Sequence, residues 1–223
     1  MSKALPKAVI FDLDGTLVDS VPDLTTAVNL AFAEIIDESE YFSQDQIRLW
    51  VGNGSRRLIE RAICAFGKVL PIEQLHSAFL KHYKAHHNNA SRLYKGVITL
   101  LTALKKNNIN IGLVTNKPVA FVPSLLQALK IGSYFDIYLG GDSLEYKKPH
   151  PEPLQHCLSF WKLSENDVVM VGDSESDALA AQAANIPCIM LKQGYNQGVD
   201  LNSLPAESVL DDINALHDYW FPL

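Results

Sequence analysis

The stretch AVIFDLDGTLVDS, residues 8–20, crowds three carboxylates, those of Asp12, Asp14 and Asp19, behind a short apolar run. Three later stretches have the same form: Thr115 and Asn116 close INIGLVTN, Lys147 and Lys148 follow DIYLG beyond a loop, and Asp173 and Asp177 follow DVVMVG. Carboxylates drawn into one cleft repel strongly, since two unit charges about 4 Å apart interact by roughly 4 kcal/mol at an intermediate dielectric. A cation must join them. An oxygen-only donor set suits Mg²⁺, a hard ion that uses one or two carboxylates, several waters and a phosphate oxygen. Lys148 adds a second positive charge, and Thr115 with neighbouring backbone N–H groups can donate to anionic oxygens. Together these groups suit the binding of phosphate.

Groups so far apart in the chain meet only if the elements before them lie side by side. Apolar runs of strand length (8–11, 109–115, 136–140, 167–172 and 187–191) alternate with segments of helical period. That alternation predicts an α/β fold with a mainly parallel, doubly wound, Rossmann-like sheet. A short strand at 208–210 and a helix over 211–219 complete the layer. In such sheets ligands collect beyond the carboxyl ends of the strands, where all four stretches carry their polar residues.

Residues 20–92 show no convincing strand. Leu24, Ala27, Val28, Ala31, Phe32 and Ile35 follow helical spacing, as do Leu58, Ala62, Ile63 and Phe66, and Pro71 can open a further helix toward His87. The expected organisation is a catalytic core of residues 1–19 and 93–223 with an all-helical cap, 20–92, inserted after the first strand. The insert is placed to serve as a lid, with plain packing on the sheet as the alternative.

Each polar group taken singly also has a structural reading. Asp12 and Asp14 can form a turn and helix cap, Thr115 and Asn116 can cap the next helix, Lys147 and Lys148 can be a solvated pair, and Asp173 and Asp177 can complement a helix dipole. Four such groups in order, each at a strand end, argue for a site. Gly15 and Thr16 let the chain turn beneath the first pair, and Asp19 is read as a hinge acid or a solvated loop acid.

Composition narrows the partners. The 223 residues are 48% hydrophobic and 20% charged, enough for a large core or a core with a smaller insert. A formal charge of −6, with scattered Lys and Arg, gives no footprint for nucleic acid. The run AVIF is too short for a signal-peptide core or a membrane span. The expectation is therefore a cytoplasmic protein, monomer or weak homodimer, with no nucleic-acid or membrane partner. Cys64, Cys157 and Cys188 fit no metal or redox pattern and are read as reduced, mostly buried thiols.

DLDGTLVDS, LVTNK, KKPHPEPL and VGDSESD resemble the four ordered motifs of the haloacid dehalogenase superfamily, in particular its phosphatases with a helical cap after the first motif. VGNGSRRLIERA, GLVTNKP, GGDSLEYKKPHPEPL and GYNQG further resemble the phosphoglycolate phosphatase family. The resemblance implies a small phosphomonoester substrate and Mg²⁺ as cofactor. It implies that Asp12 is the nucleophile that forms an aspartyl-phosphate, that Asp14 is the general acid and then base, and that Lys148 offsets charge on Asp12 and the transferring group. Asp12, Asp173 and the backbone carbonyl of Asp14 are the implied metal ligands, and Asp177 is a ligand or lies behind one. Thr115 and Asn116 would hold phosphate oxygens. The family pattern leads us to expect a proline before Gly96, where this chain has Lys95.

Substrate choice is expected to lie in the insert. In GNGSRR, residues 52–57, two glycines let a loop approach a ligand and the next helix N-terminus can bind an anion. N–H groups of Asn53, Gly54 and Ser55, assisted by Arg56 or Arg61, are the candidate readers of a remote carboxylate, with a plain helix start as the alternative. His82, His86 and His87 are read as a solvent-facing strip. The main reading is a phosphatase acting on 2-phosphoglycolate. A broader sugar-phosphate phosphatase or a phosphomutase is the alternative, and a non-enzymatic binding module would be expected to have lost one of the charged positions.

Overall fold

The computed structural model describes residues 5–36 and 42–222; residues 1–4, 37–41 and 223, which fall within the expected domain ranges, lie outside the described residues. In chain order the elements are β1 (Ala8–Phe11), β2 (Val18–Asp19), α1 (Val21–Ile36), α2 (Gln44–Arg48), α3 (Ser55–Phe66), α4 (Ile72–His86), β3 (Arg92–Leu93), α5 (Val97–Lys106) and β4 (Asn110–Val114). There follow α6 (Val122–Ala128), β5 (Ile137–Leu139), α7 (Glu152–Trp161), β6 (Val168–Gly172), α8 (Glu175–Ala183), β7 (Cys188–Leu191), β8 (Ser208–Leu210) and α9 (Ile213–Trp220).

Six strands form one parallel sheet in the order β5-β4-β1-β6-β7-β8. Every residue of β1 is buried, because helices cover both sides. Val9 and Phe11 face Leu100, Leu104 and Leu216 of α5 and α9, while Ala8 and Ile10 face Leu154 of α7 and Ala178 and Ala181 of α8. The order reverses at β1, whose neighbours β4 and β6 lead to opposite edges, and such a switch point is where ligands bind. Register then positions the acids: Phe11 pairs with Val171, so Asp12 and Asp173 emerge beside each other from the two central strands.

Helices α1–α4 bury a cluster of their own, in which Leu24, Val28 and Phe32 meet Ile59, Leu75 and Phe79. Phe121 and Tyr195, from loops at the sheet's rim, belong to the same cluster and join it to the sheet. Where this helical stretch leaves and returns, β2 and β3 pair antiparallel, Val18 with Leu93 and Asp19 with Arg92. Two residues per strand are too few for a periodic signal, and the sequence did not lead us to expect this ribbon. The helix start at Pro71 and the strands at 8–11 and 208–210 lie where the pattern put them, and the other expected strands differ by one residue at one or both ends. Cys157 and Cys188 are buried and Cys64 is exposed, all three unpaired.

The ribbon is reinforced by Asp23, in the first turn of α1. Buried to 1% exposure, it accepts hydrogen bonds from Ala90 N (2.8 Å), Ser91 N (2.8 Å) and Ser91 Oγ (2.6 Å). Replacing it orphans buried N–H donors, so Asp23→Ala is expected to lower unfolding free energy by about 2–4 kcal/mol. Urea denaturation checks this, and a loss below about 0.5 kcal/mol would contradict the role given to Asp23.

Candidate active site

At the carboxyl rim the chain folds its acids around one buried ammonium. Lys148, 2% exposed, donates to Asp12 Oδ1 (2.8 Å), Asp177 Oδ1 (2.6 Å) and the carbonyl oxygen of Val114 (2.6 Å). Asp173 accepts from Thr16 Oγ1 (2.6 Å) and from the backbone N–H of Tyr195 (2.6 Å). Its approach depends on Gly15, at φ +97°, where a Cβ would collide with the Asp173 carboxylate. Asp12, Asp173 and Asp177 each present an oxygen within 4.8 Å of the others, all buried.

The electrostatics follow from burial and like charge. Burial, resisted by Lys148 and reinforced by Asp177, pushes the Asp12 carboxyl up to about 7. Burial and then the charges of Asp12 and Asp177 hold Asp173 well above the usual carboxylate range. Lys148 has the converse shift: burial works against its charge, but Asp12 and Asp177 together raise its pKa above the ordinary lysine value. A buried set of carboxylate oxygens with this repulsion fits a hard divalent cation. Both oxygens of Asp177 are engaged, Oδ1 by Lys148 and Oδ2 by Ser174 Oγ (2.8 Å) and Ser174 N (3.1 Å), so this acid seats Lys148 and the loop.

Asp14 lines the same cavity as Asp12 and is held by a residue that the sequence reading left without a role. Lys117 Nζ donates to both Asp14 oxygens, at 2.9 and 2.8 Å, and lies 4.8 Å from the centre of the Tyr83 ring. The signal was available: Lys117 lies two residues past Thr115 on the same rim. Thr115 is buried, and its Oγ1 accepts from Lys117 N at 3.2 Å. Asn116 uses its side-chain amide to donate to the carbonyl oxygens of Gly52 and Lys148, both at 3.0 Å, which ties three loops together.

The cavity is bounded on its polar side by Asp12, Asp14, Thr115, Asn116 and Lys117 and on the insert side by Gly54, Ser55 and apolar residues such as Leu58 and Phe79. Gly54, at φ +93°, precedes α3, and no side chain caps that helix. Asn53 and Arg56, expected beside it, do not line the cavity. Arg56 is on the surface, paired with Glu73 at 2.7 and 3.1 Å, because an acid on the neighbouring helix α4 offers it a partner outside the cavity. Asn53 Oδ1 accepts from Arg61 Nη2 (2.7 Å) and Gln197 Nε2 (3.1 Å), and Arg61 also donates to Trp50 O (2.7 Å) and Gln197 Oε1 (2.9 Å). With Lys147 Nζ on Asn53 O (3.1 Å), these bonds fasten the 50–54 loop to the sheet's rim.

Two minor expectations are corrected. Asp19 accepts from Tyr195 Oη at 2.6 Å and pairs with Arg48 at 3.4 Å, which makes it a bonded acid at the ribbon and not a solvated one. His87 is buried and bonded to Ser124 Oγ at 2.7 Å, whereas His82 pairs with Glu34 at 2.6 Å.

An open parallel α/β sheet with buried acids and a lysine at its carboxyl rim marks where a ligand binds. Residues 9–191 match the family model described as haloacid dehalogenase-like hydrolase, and the chain belongs to that family. It is 39% identical over 218 residues to the phosphoglycolate phosphatase of Colwellia psychrerythraea, covering 94% of this chain and 95% of that one. It is 41% identical over 218 residues to that of Psychrobacter arcticus, covering 95% and 94%. A crystal structure from Haemophilus somnus, described as a predicted phosphoglycolate phosphatase, superposes with a TM-score of 0.87 at 33% identity over 94% of this chain and 96% of that one. The chain is a phosphatase, a hydrolase of phosphomonoesters.

A proton and a cation compete for Asp12. With a native value near 7 against an ordinary 3.8, the folded state binds more protons than the unfolded chain across that window. Asp12 therefore withdraws stability as pH rises through it, until a cation takes the proton's place. The rise in melting temperature on adding MgCl₂ should grow between about pH 5 and about pH 8 and shrink in Asp12→Asn. An equal rise at both pH values would count against the cluster as a cation site.

Proposed function

We propose that the protein hydrolyses 2-phosphoglycolate to glycolate and phosphate, with Mg²⁺ as cofactor, by way of an aspartyl-phosphate on Asp12. One observation carries this reading: Asp12, Lys148 and Asp173, which are 136 and 25 residues apart in sequence, share one buried cluster at the switch point of the sheet. Their order and placement support the roles that the family resemblance implies.

In this reading Asp12, with one oxygen held on Lys148, attacks phosphorus with the other. The bond from phosphorus to the glycolate oxygen breaks as the bond to Asp12 forms, and Asp14 delivers a proton to the departing oxygen. A water molecule then attacks the aspartyl-phosphate, Asp14 takes its proton, and phosphate leaves. Lys148 and Thr115 stabilise negative charge on the phosphoryl oxygens from fixed positions, so little reorganisation is needed during reaction. Mg²⁺, held by the side chains of Asp12 and Asp173 and the backbone carbonyl of Asp14, would offset the repulsion between carboxylate and phosphate. Residues 20–92 act as a cap over a core of residues 1–19 and 93–223, and the uncapped N-terminus of α3 at Gly54 and Ser55 closes the cavity. The setting we propose is the cytoplasm, with a monomer or weak homodimer.

Steady-state kinetics on a panel of phosphomonoesters, with MgCl₂ and with chelator, test the proposal. The expected result is a preference for 2-phosphoglycolate, no turnover in chelator, and a loss of ~10³-fold or more in Asp12→Asn with the fold retained. A sugar phosphate preferred by orders of magnitude would overturn the substrate, and an active Asp12→Asn would overturn the nucleophile.

A further inference from the structure

Lys117 carries the one positive charge among the described residues that line the cavity. It sits on the loop after β4, and across from it α4 of the insert contributes Tyr83, which is 2% exposed. The Tyr83 ring is fixed between aromatic neighbours, stacked on Phe79 at 5.4 Å and edge-to-face with Phe121 at 5.1 Å. Its hydroxyl is buried beside the Lys117 ammonium, and its O–H meets no acceptor. Burial keeps that group protonated, pushing it up to about 12 against the pull of Lys117. A buried O–H donor left without an acceptor is unfavourable and is normally matched by a ligand, water or protein oxygen.

The cavity thus sets two donors, an ammonium and a phenol, in apolar surroundings beside the reacting carboxylates. The ammonium is matched by Asp14, but Asp14 must turn to the ester oxygen to give up its proton under the reading above. Its place on Lys117 must then be taken by another anion, and that anion has an unused donor waiting in Tyr83.

We infer that Lys117 and the Tyr83 hydroxyl bind the carboxylate end of the substrate, one donor to each oxygen, and that this carboxylate exchanges with Asp14 as the partner of Lys117. The inference rests on the proposed substrate and names the residues that read it. It also links recognition to chemistry: an ester with a neutral tail leaves Asp14 clamped on Lys117, so the tail's charge acts on kcat as well as on KM. Because one donor comes from the core and the other from the insert, the carboxylate is read only when the two face each other.

The test compares 2-phosphoglycolate with 2-hydroxyethyl phosphate, which exchanges the carboxylate for a hydroxymethyl group, in wild type, Lys117→Met and Tyr83→Phe. Wild type should favour the carboxylate ester through both kcat and KM. The ratio of kcat/KM for the two esters should narrow by roughly 100-fold in Lys117→Met and roughly 10-fold in Tyr83→Phe. Tyr83→Phe removes only a hydroxyl whose O–H has no acceptor, so its melting temperature should stay close to that of wild type, and it decides the matter if Lys117→Met does not fold. A wild type that does not distinguish the two esters overturns the proposed substrate and this inference with it. A wild-type preference that survives unchanged in folded variants overturns this inference alone, because a merely structural loss lowers both esters together.

Discussion

The site depends on the Lys148 ammonium. Burying an ion without a partner costs several kcal/mol even after relaxation, and this rim buries the carboxylates of Asp12, Asp173 and Asp177 within 4.8 Å of one another. Lys148 bridges two of them and is itself anchored on the Val114 carbonyl, so its position is fixed by the backbone of β4 as well as by its charge partners. One ammonium does not balance three buried carboxylates, and burial and like charge hold Asp12 and Asp173 above the usual carboxylate range. The rim thus carries more negative than positive charge, a balance that suits a hard cation. Parallel register makes this arrangement possible, because it delivers Asp12 and Asp173 from adjacent strands without any long loop to be ordered.

A second ion pair, Lys117 with Asp14, divides the cavity. Asp12 faces Lys148 on the core side and Asp14 faces Lys117 toward the insert, so two carboxylates only two residues apart have separate electrostatic surroundings. Asp12 is strongly perturbed through burial and its neighbouring acid Asp177. Asp14 instead has a bidentate contact with a lysine that also faces the Tyr83 ring. Different environments for adjacent acids are how one short stretch of chain can supply two distinct chemical tasks.

Much of this was legible in the sequence wherever function follows a strand end. Asp12, Thr115, Lys148 and Asp173 each close or follow an apolar run, and a parallel sheet brings those positions to one rim. What local pattern does not carry is pairing. Arg56 looked like an anion reader beside a helix start, but its partner Glu73 lies on the next helix. His87 was read with His82 and His86 as a solvent-facing strip, but it packs against Tyr83 and Phe121 and bonds Ser124. Tyr83 drew no reading from the sequence, since nothing in the chain says that its hydroxyl meets no acceptor. Lys117 was visible within its motif, but its partner was not. The ribbon of β2 and β3 is too short for any periodicity to reveal it.

That ribbon has a bearing on how such a chain can change. Val18 and Leu93 are cross-strand neighbours although 75 positions separate them, so the helical stretch departs from and rejoins the sheet at a single doorway. Whatever is threaded between those two residues can be lengthened, shortened or exchanged without moving a strand of the six-stranded sheet. The register that sets Asp12 beside Asp173 is thereby independent of how many residues lie between Val18 and Leu93.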